Sequence, residues 1–168
     1  MAEREHLTHP FGPLYDERSR VLILGSFPSP KSREQAFFYG HPRNRFWGVI
    51  AAVLGEDAPS SVEQKRAFCA RNRIALWDVL SEVEIAGASD ASIKNPVAND
   101  LSPILAAAPI EAIFCTGSTS GRYYRKLIEP VLGVPATVLP STSPANAAMT
   151  FERLVDAYQP IADVLLRK

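Results

Sequence analysis

Short apolar runs alternate with longer segments of helical spacing along this chain. The runs are apolar at consecutive positions, as in strands that are buried on both faces of a parallel sheet. Four such runs predict strands at 20–25, 74–80, 110–116 and 135–139. Apolar positions three or four residues apart predict helices over 44–55, 60–72, 100–108, 118–129 and 149–167. Strands that alternate with helices predict an α/β fold, with a parallel sheet covered on both faces.

Three segments lack this regular pattern. Residues 1–19 are polar and contain glycine and prolines, so we expect a surface arm on a single domain spanning 1–168. Residues 26–42 are rich in proline and predict a long ordered loop, and 81–98 predict a second, polar loop. Long loops within compact domains are usually functional, which directs attention to 26–42.

Composition narrows the class of protein but not its function. The chain has 168 residues, of which 46% are hydrophobic and 21% charged, as expected of one globular domain. The formal net charge is zero, so charge alone neither favours nor excludes a nucleic-acid partner. No apolar run is long enough to span a membrane and the N-terminus lacks a signal-peptide core, so we expect a cytoplasmic protein without a membrane partner.

The two cysteines, Cys69 and Cys115, stand among apolar neighbours. This setting predicts reduced core thiols rather than a disulfide. No cluster of potential ligands has the spacing of a metal site, so we expect neither a metal nor a cofactor.

The carboxyl ends of the predicted strands nominate a binding pocket, because ligands of α/β sheets bind at that edge. Four segments meet there in this interpretation: 25–39, Asp78, 117–120 and 141–146. The first of them mixes hydroxyl, basic and aromatic side chains, a combination that suits a polyanion carrying rings that can stack. Phe46 and Trp47 follow at helical spacing and are expected in the core.

Two sequence motifs resemble those of a known family. The stretch GSFPSPKSREQAFFYGHPRNRFW, residues 25–47, closely resembles the first motif of the hypoxanthine-DNA glycosylases, family 6 of the uracil-DNA glycosylase superfamily. It is more distantly similar to the mismatch-specific uracil-DNA glycosylases. The run STSPANA, residues 141–147, resembles the second motif of the superfamily. The resemblance implies a three-layer α/β/α fold with a four-stranded parallel sheet, and hydrolysis of an N-glycosidic bond in base excision repair, without a lyase step.

The resemblance also implies residue roles. Asn44 takes the position of the catalytic amide of the hypoxanthine branch, to position water or to bind the base. Phe27 stands where mismatch-specific relatives carry the water-positioning Asn, which favours the hypoxanthine branch. Tyr39 matches the aromatic residue that stacks on the flipped base. Ser141 replaces the usual His or Asn of the second motif, so we expect slow catalysis. Ala145 replaces its wedge Leu, so we expect insertion into the base stack to be weaker or to be made by Asn146.

The remaining site residues form two groups by expected contact. Residues expected to bind the base stand at strand ends or in the first motif: Gly25, Ser26, Phe27, Tyr39 and Asp78. Residues expected to contact DNA stand in the two motif loops: Ser29, Lys31, Ser32, Arg33, Ser141, Ser143, Pro144, Ala145 and Asn146.

Other functions stay open at this stage. A glycosylase specific for uracil or xanthine differs from the favoured one only in pocket detail. A non-catalytic module that binds a nucleotide or DNA is compatible with the glycine loops. A serine hydrolase is excluded because no histidine follows His41. The expected partner is DNA containing a deaminated base, and the expected state is a monomer.

Overall fold

The central feature is a parallel sheet of four strands. The computed structural model describes residues 3–87 and 89–167. The strands are β2 (Val21–Gly25), β3 (Ile74–Asp78), β6 (Ala112–Thr116) and β7 (Thr137–Leu139), arranged in the order β3-β2-β6-β7. Every residue of β2 and β3 is buried, which requires cover on both faces because side chains alternate along a strand. The predicted α/β class and the predicted parallel sheet are confirmed.

Helices connect and cover these strands. They are α1 (Pro30–Gln35), α2 (Phe46–Leu54), α3 (Val62–Asn72), α4 (Ser102–Ala107), α5 (Ser118–Tyr123), α6 (Glu129–Leu132), α7 (Phe151–Ala157) and α8 (Gln159–Leu165). A π-helical segment, Tyr124–Ile128, joins α5 to α6, and a 3-10 turn covers Asp90–Ser92. Side-chain caps begin three of the helices: the hydroxyls of Ser29, Ser61 and Thr150 accept the N–H groups of Ser32, Gln64 and Arg153.

A second sheet corrects two of the sequence-based expectations. Strands β1 (Arg4–Thr8), β4 (Leu80–Ala86) and β5 (Lys94–Ala98) form an antiparallel sheet in the order β1-β4-β5. The prediction of a polar loop over 81–98 was therefore wrong, and the N-terminal arm is partly a strand. Val83 and Ile85 point into the core while the glutamates beside them lie outward, so the segment follows the two-residue period of a half-buried strand.

The N-terminal arm also protects the edge of the central sheet. Leu14 exchanges two backbone hydrogen bonds with Leu76 of β3, at 2.9 and 2.8 Å. An edge strand left uncovered would expose unpaired N–H and C=O groups. The arm is thus an integral part of the fold.

Two further boundaries differ from the prediction. Helix α1 lies inside the expected loop 26–42, where Ser29 caps it and Pro30 begins it. The expected C-terminal helix 149–167 is two helices, because it is interrupted at Tyr158 and Pro160 follows in the first turn of α8. Proline lacks the N–H that a continuous helix would use there.

The two cysteines are free and buried, as expected. Burial raises the pKa of Cys69 to about 12 and that of Cys115 to about 11, so both are thiols at neutral pH. None of the helices that the structure describes is both long and apolar enough to span a bilayer.

Candidate active site

A cavity of about 380 Å³ opens at the carboxyl ends of the parallel strands. It lies where β2, β3 and β6 end and where the two motif loops meet. Its walls include residues from both motifs and from the strand ends: Gly25, Ser26, Phe27, Pro28, Ser29, Ser32, Arg33, Phe38, Tyr39, Asn44, Asp78, Ile85, Ser89, Asp90, Thr116, Ser141, Thr142, Ser143 and Ala145.

The floor of the cavity is formed by the last residues of two paired strands. Gly25 of β2 lies in register with Asp78 of β3. A Cβ atom on Gly25 would lie only 2.5 Å from Asp78 Oδ1, so the absence of a side chain gives the carboxylate its space. The carbonyl oxygen of Asp78 accepts a hydrogen bond from Asn99 Nδ2 at 2.9 Å, which fixes the backbone at this strand end.

Tyr39 forms an aromatic wall. Its ring stacks on Phe46 with 3.8 Å between ring centroids and 10° between planes, and its hydroxyl lies 3.1 Å from Thr116 Oγ1. Tyr39 has φ +51°, a left-handed conformation that is uncommon for a tyrosine and persists where the surrounding contacts fix it. Burial, with the negative charge of Asp78, raises the pKa of Tyr39 well above its usual value. The residue is thus a neutral plate with one face covered by Phe46.

Asn44 has a fixed orientation. Its Oδ1 accepts two hydrogen bonds, from Phe46 N–H at 2.9 Å and from Thr142 Oγ1 at 2.8 Å. A backbone N–H can only donate, so the oxygen and nitrogen of the amide are not interchangeable here. Among the residues that the structure describes, none accepts a hydrogen bond from Nδ2. Asn44 is therefore available to the cavity as a donor.

Arg45 ties the second motif to the first. Its guanidinium donates to the carbonyl oxygens of Ser143, Asn146 and Met149, and its backbone N–H donates to that of Thr142 at 3.0 Å. The hydrogen bonds of Arg45, the residue that follows Asn44, thus fix the loop that carries the second motif. This placement shows that Arg45 faces the protein rather than a ligand.

Backbone donors complete the site. In the described part of the chain, the N–H groups of Ser26 and Phe27 form no hydrogen bond with protein atoms. Both residues line the cavity immediately after β2. Two unpaired N–H groups at a strand end are suited to bind an electronegative atom of a ligand.

Most of the predicted site residues line the cavity, and three do not. Asn44 and the five predicted base-binding residues all line it, as do Ser29, Ser32, Arg33, Ser141, Ser143 and Ala145. Lys31 lies outside, exposed and paired with Glu34 at 3.3 Å. Pro144 and Asn146 are not among the lining residues either. Ser32 is buried, and its hydroxyl accepts the N–H of Gly40 at 2.9 Å, so it shapes the loop.

Sequence reasoning missed several residues of the site. Thr116 and Thr142 position Tyr39 and Asn44, and Asp90 lines the rim beside Ser26. Burial raises the pKa of Asp90. His9 lies 2.7 Å from the carboxylate of Asp78. Only the Ser-Thr-Ser run around Thr142 carried a signal, because the other contacts depend on pairing between distant segments.

The cavity combines groups suited to a planar heterocycle. It has an aromatic plate, N–H donors on Ser26, Phe27 and Asn44, and a carboxylate that accepts hydrogen bonds. Within the described ranges, no group of three or more His, Cys, Asp or Glu side chains is placed to hold a metal ion.

Comparisons with known proteins identify the family. The family model described as the uracil DNA glycosylase superfamily matches residues 13–163. A protein of Methanosarcina barkeri named hypoxanthine DNA glycosylase is 37% identical over 141 residues, which cover 81% of this chain and 86% of the relative. A protein of the same name from Methanosarcina acetivorans is 34% identical over 148 residues, with 85% and 90% covered.

A solved structure supports the same relationship. The solution NMR structure of a candidate uracil DNA glycosylase from Methanosarcina acetivorans superposes with a TM-score of 0.75 at 30% identity. The match covers 90% of this chain and 96% of that one. From its family match, its relatives and its fold, the chain belongs to the uracil DNA glycosylase superfamily.

Proposed function

We propose that this protein is a monofunctional DNA glycosylase that releases hypoxanthine from deoxyinosine in base excision repair. The observation that carries the proposal is the cavity, in which the Tyr39 plate and the Asn44 donor face one space of about 380 Å³. That volume is within the range of about 300–1,000 Å³ typical of small-ligand pockets. The names of the two Methanosarcina relatives support the choice of hypoxanthine.

The reaction begins with a base that has left the helix. A base stacked in a duplex cannot reach an enclosed site, so the nucleotide is extruded and its base enters the cavity against Tyr39. Water then adds to C1′ of the deoxyribose as the bond from C1′ to N9 breaks. The base leaves as hypoxanthine, taking a proton that the water gives up, and an abasic site remains in the DNA.

Hydrogen-bond donors supply the catalytic stabilisation. The transition state resembles an oxocarbenium ion, with negative charge growing on the leaving base. In this proposal the N–H groups of Ser26 and Phe27 donate to hypoxanthine O6, and Asn44 Nδ2 donates to a ring acceptor of the base. The Asn44 oxygen is already occupied, so the geometry favours base binding over water activation for this residue. Preorganised donors of this kind stabilise developing charge effectively.

The residues proposed to contact DNA lie around the mouth of the cavity. Ser29, Arg33, Ser141 and Ser143 border it, and Lys31 and Pro144 are exposed beside it. Hydroxyl and basic side chains of this kind bind phosphates and fix the register of the strand. Ala145 and Asn146 take the place of the residue that would fill the space left by the extruded base.

Among the lining residues that the structure describes there is no lysine, which supports hydrolysis without a lyase step. The protein is further proposed to act as a monomer in the cytoplasm. The free thiols of Cys69 and Cys115 support a reducing compartment.

The test is base release from labelled oligonucleotides that carry one hypoxanthine, uracil, xanthine or adenine. Strand cleavage after alkali treatment is expected for hypoxanthine and not for adenine. Reduction with borohydride during the reaction is expected to trap no covalent complex. Release of uracil or xanthine alone would show that the enzyme is specific for that base instead of hypoxanthine. Tight binding without release of any base would show that the protein is a non-catalytic binding module.

The aromatic wall provides a graded prediction. Tyr39→Leu is expected to lower the single-turnover rate of hypoxanthine release by about ten- to a hundredfold, because base stacking on an aromatic ring contributes about 1–3 kcal/mol. Tyr39→Phe keeps the ring and loses only the bond to Thr116, so it is expected to retain most of the rate. An equal loss of rate in the two variants would show that the Tyr39 hydroxyl, and not stacking on its ring, supports base release.

A further inference from the structure

The N-terminal arm supplies a buried histidine that contacts the carboxylate of the cavity floor. His9 Nε2 lies 2.7 Å from Asp78 Oδ2, and the two side chains are 3% and 7% exposed. In residues 3–87 and 89–167, His9 is the only partner that forms a hydrogen bond with this carboxylate. Asp78 Oδ1 lies beside Gly25 in the cavity wall and is left without a protein donor.

The second ring nitrogen fixes the tautomer of His9. Nδ1 accepts the backbone N–H of Phe11 at 3.4 Å, so the proton is on Nε2 and is donated to Asp78. The ring centroids of Phe11 and Trp77 each lie 4.5 Å from that of His9, and that of Phe27 lies at 5.8 Å. These neighbours keep the imidazole from turning, which in turn fixes the rotation of the Asp78 carboxylate.

The depth of Asp78 decides which part of a bound base it meets. Asp78 is only 5% exposed at the floor, whereas Asn44, Ser141 and Ser143 are half-buried nearer the mouth. A base that enters with its sugar at the mouth brings the edge farthest from the glycosidic bond to the floor. In a purine that edge carries N1 and the substituent at position 6.

Deamination changes this edge in a way that a carboxylate detects. A carboxylate only accepts hydrogen bonds. Adenine presents a lone pair at N1, as cytosine does at N3, and a carboxylate repels both. Hypoxanthine, xanthine and uracil carry a lactam N–H at the same positions, which a carboxylate binds. Guanine also carries this N–H, so the contact separates hypoxanthine from adenine and not from guanine.

We propose that His9 is a positioning residue that holds Asp78 so that its free oxygen accepts the lactam N–H of a deaminated base. The inference rests on the proposed glycosylase function and adds the group that defines its substrate class. A site built to bind a substrate N–H discriminates strongly against an analogue that lacks it, because its own polar group is then unpaired.

The test compares two substrates in four variants. Single-turnover rates are measured on oligonucleotides carrying hypoxanthine or unsubstituted purine, which lacks both O6 and the lactam N–H. The wild type is expected to prefer hypoxanthine strongly.

His9→Phe keeps an aromatic ring and removes the donor, and is expected to reduce the preference about ten- to a hundredfold. The purine substrate lacks O6 whichever variant is tested. A change between variants in the ratio of the hypoxanthine rate to the purine rate therefore reports the N–H contact. Asp78→Asn is expected to reduce it similarly, and His9→Gln, which retains a donor, to restore part of it.

His6→Phe is the matched control. His6 pairs with Glu82 at 3.1 Å on the same arm, but on the surface, so its loss is expected to leave the ratio unchanged. Thermal unfolding of each variant shows that the protein is folded. If His9→Phe and Asp78→Asn slow both substrates equally, the residues act on the sugar, on water or only on the fold, and the inference is overturned. If the wild type releases no base at all, the proposed function itself fails.

Discussion

Replacing Asn44 by aspartate is expected to lower the single-turnover rate of hypoxanthine release by about a hundredfold or more, with little change in thermal stability. The carboxylate introduced at this position retains an oxygen that accepts the bonds from Phe46 N–H and Thr142 Oγ1. It puts a second oxygen where Nδ2 was, so the variant loses only the donor and gains a negative charge near the leaving base. Loss of one donor to developing charge typically costs about a hundred- to a thousandfold in rate.

Two comparisons make this prediction specific. Asn44→Ala loses the donor and also leaves Thr142 without its partner, so it is expected to lose the same activity and some stability in addition. Thr142→Val removes the support but leaves the amide in place, so its rate is expected to fall less than that of Asn44→Asp. A nearly wild-type rate in Asn44→Asp would show that the donor has no part in catalysis.

Gly25→Ala is expected to have the second-largest effect. The added Cβ would lie 2.5 Å from Asp78 Oδ1, closer than any van der Waals contact allows. Asp78 cannot swing away without losing His9, because the imidazole is enclosed by aromatic rings. The floor of the cavity must therefore shift. A displacement of about 1 Å in a positioning group costs about a hundredfold in rate, and the same loss is expected here.

Gly121→Ala controls for the strain of an added methyl group. A Cβ there would lie 2.5 Å from Val138 Cγ2, as close a contact as at Gly25 but outside the cavity. Val138 Cγ1 and Cβ would also lie 3.0 and 3.3 Å from the added Cβ, so the contact strains the packing of α5 against the short edge strand β7. The rate of this variant is expected to be unchanged. An equal loss of activity in both glycine variants would show that general strain, and not the cavity floor, is responsible.

The central sheet was predictable because its strands are mostly apolar at consecutive positions. In β2 the apolar run Val21 to Leu24 is short and is followed by Gly25, which favours a buried strand over a helix. Strand β4 was missed because its glutamates suggested a loop, although Val83 and Ile85 alternate with them. Its partner β1 was missed for a different reason: short polar strands form only where a neighbour supplies hydrogen bonds, and no local pattern identifies that neighbour.

In the candidate site, too, local patterns predicted some features and long-range contacts determined the others. The positions of Asn44, Tyr39 and Asp78 could be inferred from their motifs and strand ends, and the structure brings all three to one cavity. The orientation of the Asn44 amide could not, because it depends on Thr142, 98 residues farther along the chain. His9 was missed since its partner is 69 residues away and no motif surrounds it in the sequence.

These long separations link activity to cooperative folding. The contacts of His9 with Asp78, of Tyr39 with Thr116 and of Asn44 with Thr142 each close a loop of many tens of residues, and loop closure is unfavourable until the segments between are themselves folded. A fragment or a partly unfolded form therefore has no means of assembling a weaker version of the site. Base release should disappear in the same transition as the tertiary structure, so the denaturation midpoint measured by activity and the one measured by fluorescence would coincide.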